Sequence, residues 1–293
     1  MYKEHYFQSD DGLKLYVRDY SANKEELNTR PVVCLPGLTR NSKDFHKLAT
    51  HLCNSSKKSY RVISVDYRGR GKSQWDDNKA NYNILREAQD VLGILNWLQI
   101  AKAYFIGTSR GGLILHIIAT IKLDIISSII FNDIGPELEL QGLLDIKKYL
   151  FKSTRPRSWA DAASIQKEIH RLNFPAFGDD DWMDIAKDIY IEKDNKIVAD
   201  FDPTIANSIS DINQDTEVPA LWDQFKLLSN IPILTIRGAN SSLLSNRIVE
   251  KMSDIHPQHS SITMPGQGHP PNLMGDGIEH SITDFLNSPK SPE

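Results

Sequence analysis

Ser109 stands in Gly107-Thr108-Ser109-Arg110-Gly111, directly after the apolar run Ala103 to Ile106 and before a second apolar stretch, Leu113 to Ile121. A serine hydroxyl becomes a nucleophile only when a neighbouring base takes its proton. The order reads as strand, sharp turn and helix, and glycines on both sides of the serine let neighbouring backbone approach without a Cβ clash. Such a turn holds the hydroxyl exposed at a strand end, where acyl transfer needs it. An ordinary glycine-rich strand-to-helix connection has the same pattern, so the rest of the chain must supply a base and an acid.

The base candidate is His269, in Pro265-Gly266-Gln267-Gly268-His269-Pro270-Pro271, where glycines and prolines make a loop beyond a strand end. The other histidines have simpler assignments. His116 falls in the apolar helix behind the serine and is expected to pack in the core, while His256 and His259 flank Pro257 and are expected in a surface turn. Asp133 ends a further apolar run, Ile125 to Phe131. An imidazole needs hydrogen-bond reach to the hydroxyl, and an acid must orient the imidazole and stabilise its charged form.

These residues need a scaffold. The chain has 293 residues, 40% of them hydrophobic and 25% charged, with 34 basic and 38 acidic side chains for a formal net charge of −4. Charge this balanced, without long blocks, suggests neither nucleic acid nor an anionic membrane as a partner. The length accommodates one large α/β domain or two ordinary ones. Lys57-Lys58 and Asp179-Asp180-Asp181 read as solvated loops. The first five residues carry charge, and no segment approaches the run of about eighteen apolar residues that a membrane span needs, so a cytoplasmic location is expected. Cys34 and Cys53 read as small buried hydrophobes and not as a disulfide or metal site.

Glu4 to Ser9 and Leu13 to Tyr20, joined by Asp10-Asp11-Gly12, carry a hairpin signal, followed by a polar loop over 21–30. Pro31 to Leu35 and Arg61 to Val65 are short apolar runs of the kind buried on both faces of a parallel sheet. Asp44 to Cys53 is helical in pattern. Asn81 to Gln99 is an amphipathic helix with Ile84, Leu85, Ala88, Val91, Leu92, Leu95 and Leu98 at three- and four-residue spacing. Between them, Asp66-Tyr67-Arg68-Gly69-Arg70-Gly71-Lys72-Ser73 ends like a phosphate loop. Asp66 stands where that motif needs its first glycine, and no helix follows at once, so nucleotide binding is rejected.

Alternation of strand and helix through Phe131 builds a parallel sheet with helices on both faces. From Glu137 to about Ala220 the pattern changes to helical segments, Leu143 to Phe151 and Trp159 to Leu172, without a convincing buried strand. This reads as an inserted helical cap. Ile231 to Ile236 resumes the strands, followed by a short helix over Asn246 to Met252, a small strand over Ser260 to Met264 and a last helix through Leu286. The expected division is a core of 1–136 and 221–293 with a cap of 137–220. Ser109, Asp133 and His269 all fall at carboxyl ends of these strands, where ligand sites of open α/β sheets gather.

Leu35-Pro36-Gly37-Leu38, the stretch Asp66 to Ser73, the turn at Ser109 and Gly268-His269-Pro270 occur in an order that resembles the α/β-hydrolase family, in its serine-nucleophile branch, from about Tyr6 to Leu286. The resemblance implies a mostly parallel eight-stranded sheet flanked by helices, with the helical cap inserted after the sixth strand. It implies Ser109 as nucleophile, His269 as base, and the backbone N–H groups of Leu38 and Arg110 as the oxyanion hole. In the acid the chain departs from the family. Relatives of this pattern read Gly-x-x-Ser-Asp-x-Leu after the seventh strand, whereas this chain reads Gly238-Ala239-Asn240-Ser241-Ser242-Leu243. Ser242 stands at the acid's position and cannot hold charge against an imidazolium. Asp133 can reach the same imidazole from the neighbouring strand, or it can pair with Arg110 or cap the turn before Pro136. In a third reading the acid is missing.

The leading expectation is a serine hydrolase that needs no cofactor and no metal, acting on an ester or similar small-molecule acyl substrate through an acyl-enzyme on Ser109. Carbon–carbon bond hydrolysis and perhydrolase chemistry use the same residues. Dehalogenases and epoxide hydrolases take an aspartate nucleophile and are disfavoured. A ligand-binding protein of the same fold is the rival from another class, motivated by Ser242. Arg40, Arg68 and Arg110 are placed near the pocket mouth, with Arg40 the candidate for an anionic substrate group and salt bridging to Asp44, Asp66 or Asp133 the plain alternative.

Overall fold

The computed structural model describes residues 1–21, 30–55, 58–152 and 155–288, so most of the loop expected over 21–30, and Lys57, lie outside the described residues. The chain opens with β1 (Lys3–Gln8) and β2 (Lys14–Tyr20), paired antiparallel across the turn at Asp10 to Gly12. Then come β3 (Val32–Leu35), α1 (His46–Asn54) and β4 (Val62–Val65). Next, α2 (Ile84–Trp97) starts later than the pattern predicts, because the Asn83 side chain accepts the Arg86 N–H and caps it there. β5 (Ala103–Thr108), α3 (Arg110–Ile121) and β6 (Ile126–Asn132) follow.

After β6 the chain leaves the sheet. It forms α4 (Leu140–Leu150), α5 (Trp159–His170), α6 (Asp179–Ile189) and an antiparallel pair, β7 (Tyr190–Lys193) with β8 (Lys196–Ala199). Two expectations are corrected here. Asp179-Asp180-Asp181 is the first turn of α6, where acidic side chains face the positive helix end and Asp181 accepts the Gly178 N–H at 2.8 Å. The inserted segment also holds a hairpin, hidden from hydropathy because its strands are half exposed. Ala162, Phe174, Trp182, Ala186, Tyr190 and Ile197 form a small apolar cluster of their own in this segment.

Then α7 (Trp222–Leu227), β9 (Ile233–Gly238), α8 (Asn246–Ile255), β10 (His259–Met264) and α9 (Ile278–Asn287) complete the chain. The main sheet has eight strands in the order β1-β2-β4-β3-β5-β6-β9-β10, antiparallel at the β1, β2 and β4 contacts and parallel elsewhere. Side chains alternate across it, so Val33, Leu35, Phe105 and Phe131 pack with α2, α3 and α8. Val32, Cys34, Ile106 and Ile130 meet α1 and α9 on the other face. Leu85 fits the spacing of the apolar stripe of α2, but it is 52% exposed, while Glu87 and Asp90 are buried on that stripe. Among the described residues no helix is long and apolar enough to cross a membrane.

Candidate active site

Parallel strands put their carboxyl ends on one side, so the residues after β3, β5, β6, β9 and β10 converge. Thr108 of β5 lies opposite Asn132 of β6, and the Ser109 N–H donates to the Asn132 carbonyl at 3.1 Å. One residue on, Asp133 donates its N–H to Ile236 of β9 at 2.7 Å. Both residues leave the sheet with positive φ, +50° at Ser109 and +54° at Asp133, a backbone region that costs a non-glycine residue of order 1–3 kcal/mol and collects at functional sites. The turn is compact enough that a Cβ on Gly111 would fall 2.1 Å from the Leu35 carbonyl oxygen.

His269 lies between the two. Its Nε2 is 2.9 Å from Ser109 Oγ and its Nδ1 is 2.7 Å from Asp133 Oδ2. Asp133 is fully buried and His269 is 12% exposed. The carboxylate is further held by the Gly238 N–H at 2.8 Å and by the Ser241 hydroxyl at 2.5 Å, so a buried charge has three donors around it. Ser242 turns away and donates to Asp145 of α4 at 2.8 Å. Asp133 therefore meets His269, and neither Arg110 nor the turn before Pro136 takes its carboxylate.

The Arg110 N–H directly follows Ser109, and Leu38 follows Gly37, whose Cβ position lies 3.9 Å from Ser109 Cβ. Among the described residues neither N–H meets an acceptor. The three arginines separate. Arg40 stays beside the site, its Cγ 3.4 Å from the same Gly37 position, but Asp44 holds its Nε and Nη2 at 2.8 Å each. Arg68 is fully buried between Asp11, Asp76 and Asp90 and is no part of a pocket mouth. Arg110 pairs with Glu87 at 2.6 Å. Both departures follow from α2, whose acids reach back toward the loops after β4 and β5.

The inserted segment covers this side. The Gly268 Cβ position lies 2.6 Å from Asn173 Cβ, and the His170 and Tyr149 rings stack edge to face at 5.3 Å. Burial, with the Arg40 charge beside it, depresses His170 to about 4, so it is neutral at ordinary pH. Burial and the neighbouring Asp44 push Asp188 up to about 6. An open groove of about 570 Å³ between α1 and α9, lined by Lys47, His51, His280 and Thr283, includes none of the residues around Ser109.

His116 is buried as expected and bonds the Gly112 carbonyl through Nδ1 at 2.8 Å. The turn expected between His256 and His259 is present, with Pro257 exposed and the His259 N–H donating to the His256 carbonyl at 3.2 Å, but the flanking rings are engaged by the protein. His256 is 2% exposed and bonds the Leu228 carbonyl, and His259 contacts Thr235 and Ser253. Sequence reading missed Ser241 and Glu87. Ser241 was in view beside Ser242, and a serine inside a loop whose acid is missing is the available signal. Glu87 shows as a carboxylate on an apolar helical stripe.

A family model described as the α/β hydrolase fold matches residues 30–276. The chain is similar to the 3-hydroxybutyrate-oligomer hydrolase of Cupriavidus necator, 28% identical over 254 residues, 84% of this chain and 85% of that protein. It is similar to the 2-(acetamidomethylene)succinate hydrolase of Mesorhizobium japonicum, 26% identical over 255 residues, 86% of each. Among solved structures, an α/β hydrolase from Novosphingobium aromaticivorans superposes with a TM-score of 0.88 at 32% identity, covering 97% of this chain and 98% of that one.

Proposed function

Because the chain belongs to the α/β-hydrolase family and is a hydrolase, we propose that it cleaves carboxylic esters through an acyl-enzyme on Ser109. The observation that carries this reading is the hydrogen-bonded line Ser109 Oγ, His269, Asp133 at 2.9 and 2.7 Å. A carboxylate only accepts, so the His269 proton sits on Nδ1 and the lone pair on Nε2 faces the hydroxyl. Ser109 Oγ attacks the acyl carbon as its proton passes to Nε2. The tetrahedral oxyanion takes hydrogen bonds from the Leu38 and Arg110 N–H groups, then collapses, and Nε2 returns the proton to the departing alkoxide. Water, deprotonated by the same nitrogen, releases the acid and restores Ser109. The contact between Asp133 and His269 supports this reading over a ligand-binding protein of the same fold, whose motive is Ser242 at the usual acid position.

The preferred substrates carry an acidic group. The 3-hydroxybutyrate oligomer and the succinate derivative in the relatives' names both bear carboxylates, and Asp44 leaves Nη1 of Arg40 for such a group. Mass spectrometry of a rapidly quenched reaction tests the first part: an acyl adduct on the peptide containing Ser109 is expected, and steady turnover without one counts against it. Arg40→Ala tests the second. KM for an ester of a dicarboxylic acid should rise about tenfold more than KM for the matching neutral ester, and equal changes would remove Arg40 from substrate binding.

A further inference from the structure

We propose that Arg70, Glu87 and Arg110 form a buried brace that fixes the two oxyanion donors relative to each other, with Glu87 as its positioning residue. The proposal rests on the serine-hydrolase reading above. Glu87 comes from α2 and is fully buried. Its Oε2 accepts Arg110 Nε at 2.6 Å and its Oε1 accepts Arg70 Nη1 at 2.8 Å. Arg70 in turn donates Nε to the Leu38 carbonyl at 2.8 Å. A path of three charge-assisted hydrogen bonds therefore runs from Arg110, which carries one proposed donor N–H, to Leu38, which carries the other. Both residues lie in loops or at a helix end, where backbone pairing alone ends at Leu35 opposite Gly107.

Stability alone does not account for such a group. A carboxylate between two guanidiniums at full burial is commonly no more stable than apolar residues of the same volume, and Ala88 and Val91, buried beside Glu87 on α2, are apolar. The cluster also holds two positive charges against one negative. Arg70 Nη2 is buried without a partner among the described residues, and the groups packed round the cluster, Tyr67 and Tyr82, are neutral phenols. Burial opposes the charge on Glu87, but the Arg110 and Arg70 guanidiniums outweigh it and hold the carboxyl below its ordinary range, while burial lowers Arg70 from its ordinary value, so the cluster sets one carboxylate between two guanidiniums. A positive charge fixed behind the donors favours the anion that forms on attack over the neutral ground state, which raises kcat with little effect on KM.

The test uses the full chain with p-nitrophenyl acetate, measuring the pre-steady-state burst, kcat and KM for the wild type, Arg110→Gln, Arg110→Lys and Glu87→Gln. Arg110→Gln leaves the pair of Glu87 with Arg70 intact and neutral. Its kcat is expected to fall on the order of ten- to a hundredfold with KM within about threefold. Arg110→Lys should recover part of the loss. Glu87→Gln should lower kcat as well. If Arg110→Gln keeps the wild-type kcat, or loses activity through KM alone, the brace is wrong. Where Arg110→Gln does not fold, Arg110→Lys decides: a kcat about threefold or more below wild type at unchanged KM supports the brace, and wild-type kcat overturns it. A wild-type protein with neither burst nor turnover overturns the serine-hydrolase reading and the brace together.

Discussion

Asp133 Oδ2 and His269 Nδ1 lie 2.7 Å apart although 136 residues separate them in the chain. β6 carries the aspartate, and β9, its neighbour, ends where the Gly-x-x-Ser-Asp-x-Leu pattern would place the acid. The strand that lacks an acid still participates, since Gly238 and Ser241 both donate to the Asp133 carboxylate. One imidazole nitrogen is therefore served by an acid from one strand and by the holders of that acid from the next.

Asp133→Asn should lower kcat by roughly a thousand- to ten-thousandfold while thermal unfolding shows an intact fold, because a neutral amide neither fixes the tautomer of His269 nor stabilises its imidazolium. Ser242→Asp should change kcat by less than about twofold, since the Ser242 side chain faces Asp145 and not His269. Steady-state kinetics on a short acyl ester compare the two. The reverse order of effects would return the acid to the β9 loop.

Ser241→Ala removes one of three donors to a buried carboxylate. A lost hydrogen bond to a charged group costs about 1.5–3 kcal/mol, and here the loss falls on the group that must stay ionised. The expected outcome is a kcat about tenfold lower together with a lower unfolding midpoint in urea. Ser241→Thr, which keeps the hydroxyl, should recover activity. Equal loss in both variants would mean that the loop shape matters and the hydroxyl does not.

Gly111→Ala places a methyl group 2.1 Å from the Leu35 carbonyl oxygen, a backbone atom that cannot move aside like a flexible side chain. The N-terminus of α3 must then shift away from β3, and a destabilisation above about 3 kcal/mol is expected from overpacking in rigid surroundings. Urea unfolding measures it, and a midpoint within error of the wild type would show that the turn is looser than described.

Burial holds His116 at about 4, against 6.5 for the free residue. The unfolded chain therefore takes up this proton first, and stability from this residue is present above about pH 6.5 and lost as pH falls toward about 4. At pH 5 the loss is about 2 kcal/mol. Asp66, pushed up to about 6 by burial, works in the opposite direction, so a difference measurement isolates the histidine. Between pH 7 and pH 5 the wild type should lose about 2 kcal/mol more than His116→Gln in urea unfolding. Identical losses would mean that His116 already shares its proton with the native state.

The sheet was legible in the sequence because its central strands are buried on both faces and appear as short apolar runs, and Ser109 and His269 stood out because glycine and proline mark the turns that expose them. Asp133 was visible as the acid in one of three readings. The choice among them was not, because it depends on which strand lies beside β6, and strand order is a property of the sheet rather than of any local pattern. Glu87 and Asp90 were passed over because a helical stripe is read by its apolar members, while its buried acids are matched by arginines from the loop after β4. The hairpin of β7 and β8 shows no period of two because its apolar residues stand side by side, Tyr190-Ile191 on one strand and Ile197-Val198-Ala199 on the other. Leu85 fitted the spacing but faces outward, since three- and four-residue steps from Ile84 and Leu92 describe a wider stripe than the one the sheet covers.

Activation of the Ser109 hydroxyl by His269, as proposed, is measured directly by a fluorophosphonate probe followed by peptide mass spectrometry. Labelling is expected on Ser109 in the wild type, absent in Ser109→Ala and slowed by orders of magnitude in His269→Ala. A wild-type protein that stays unlabelled, or one labelled equally fast without the imidazole, would contradict the account.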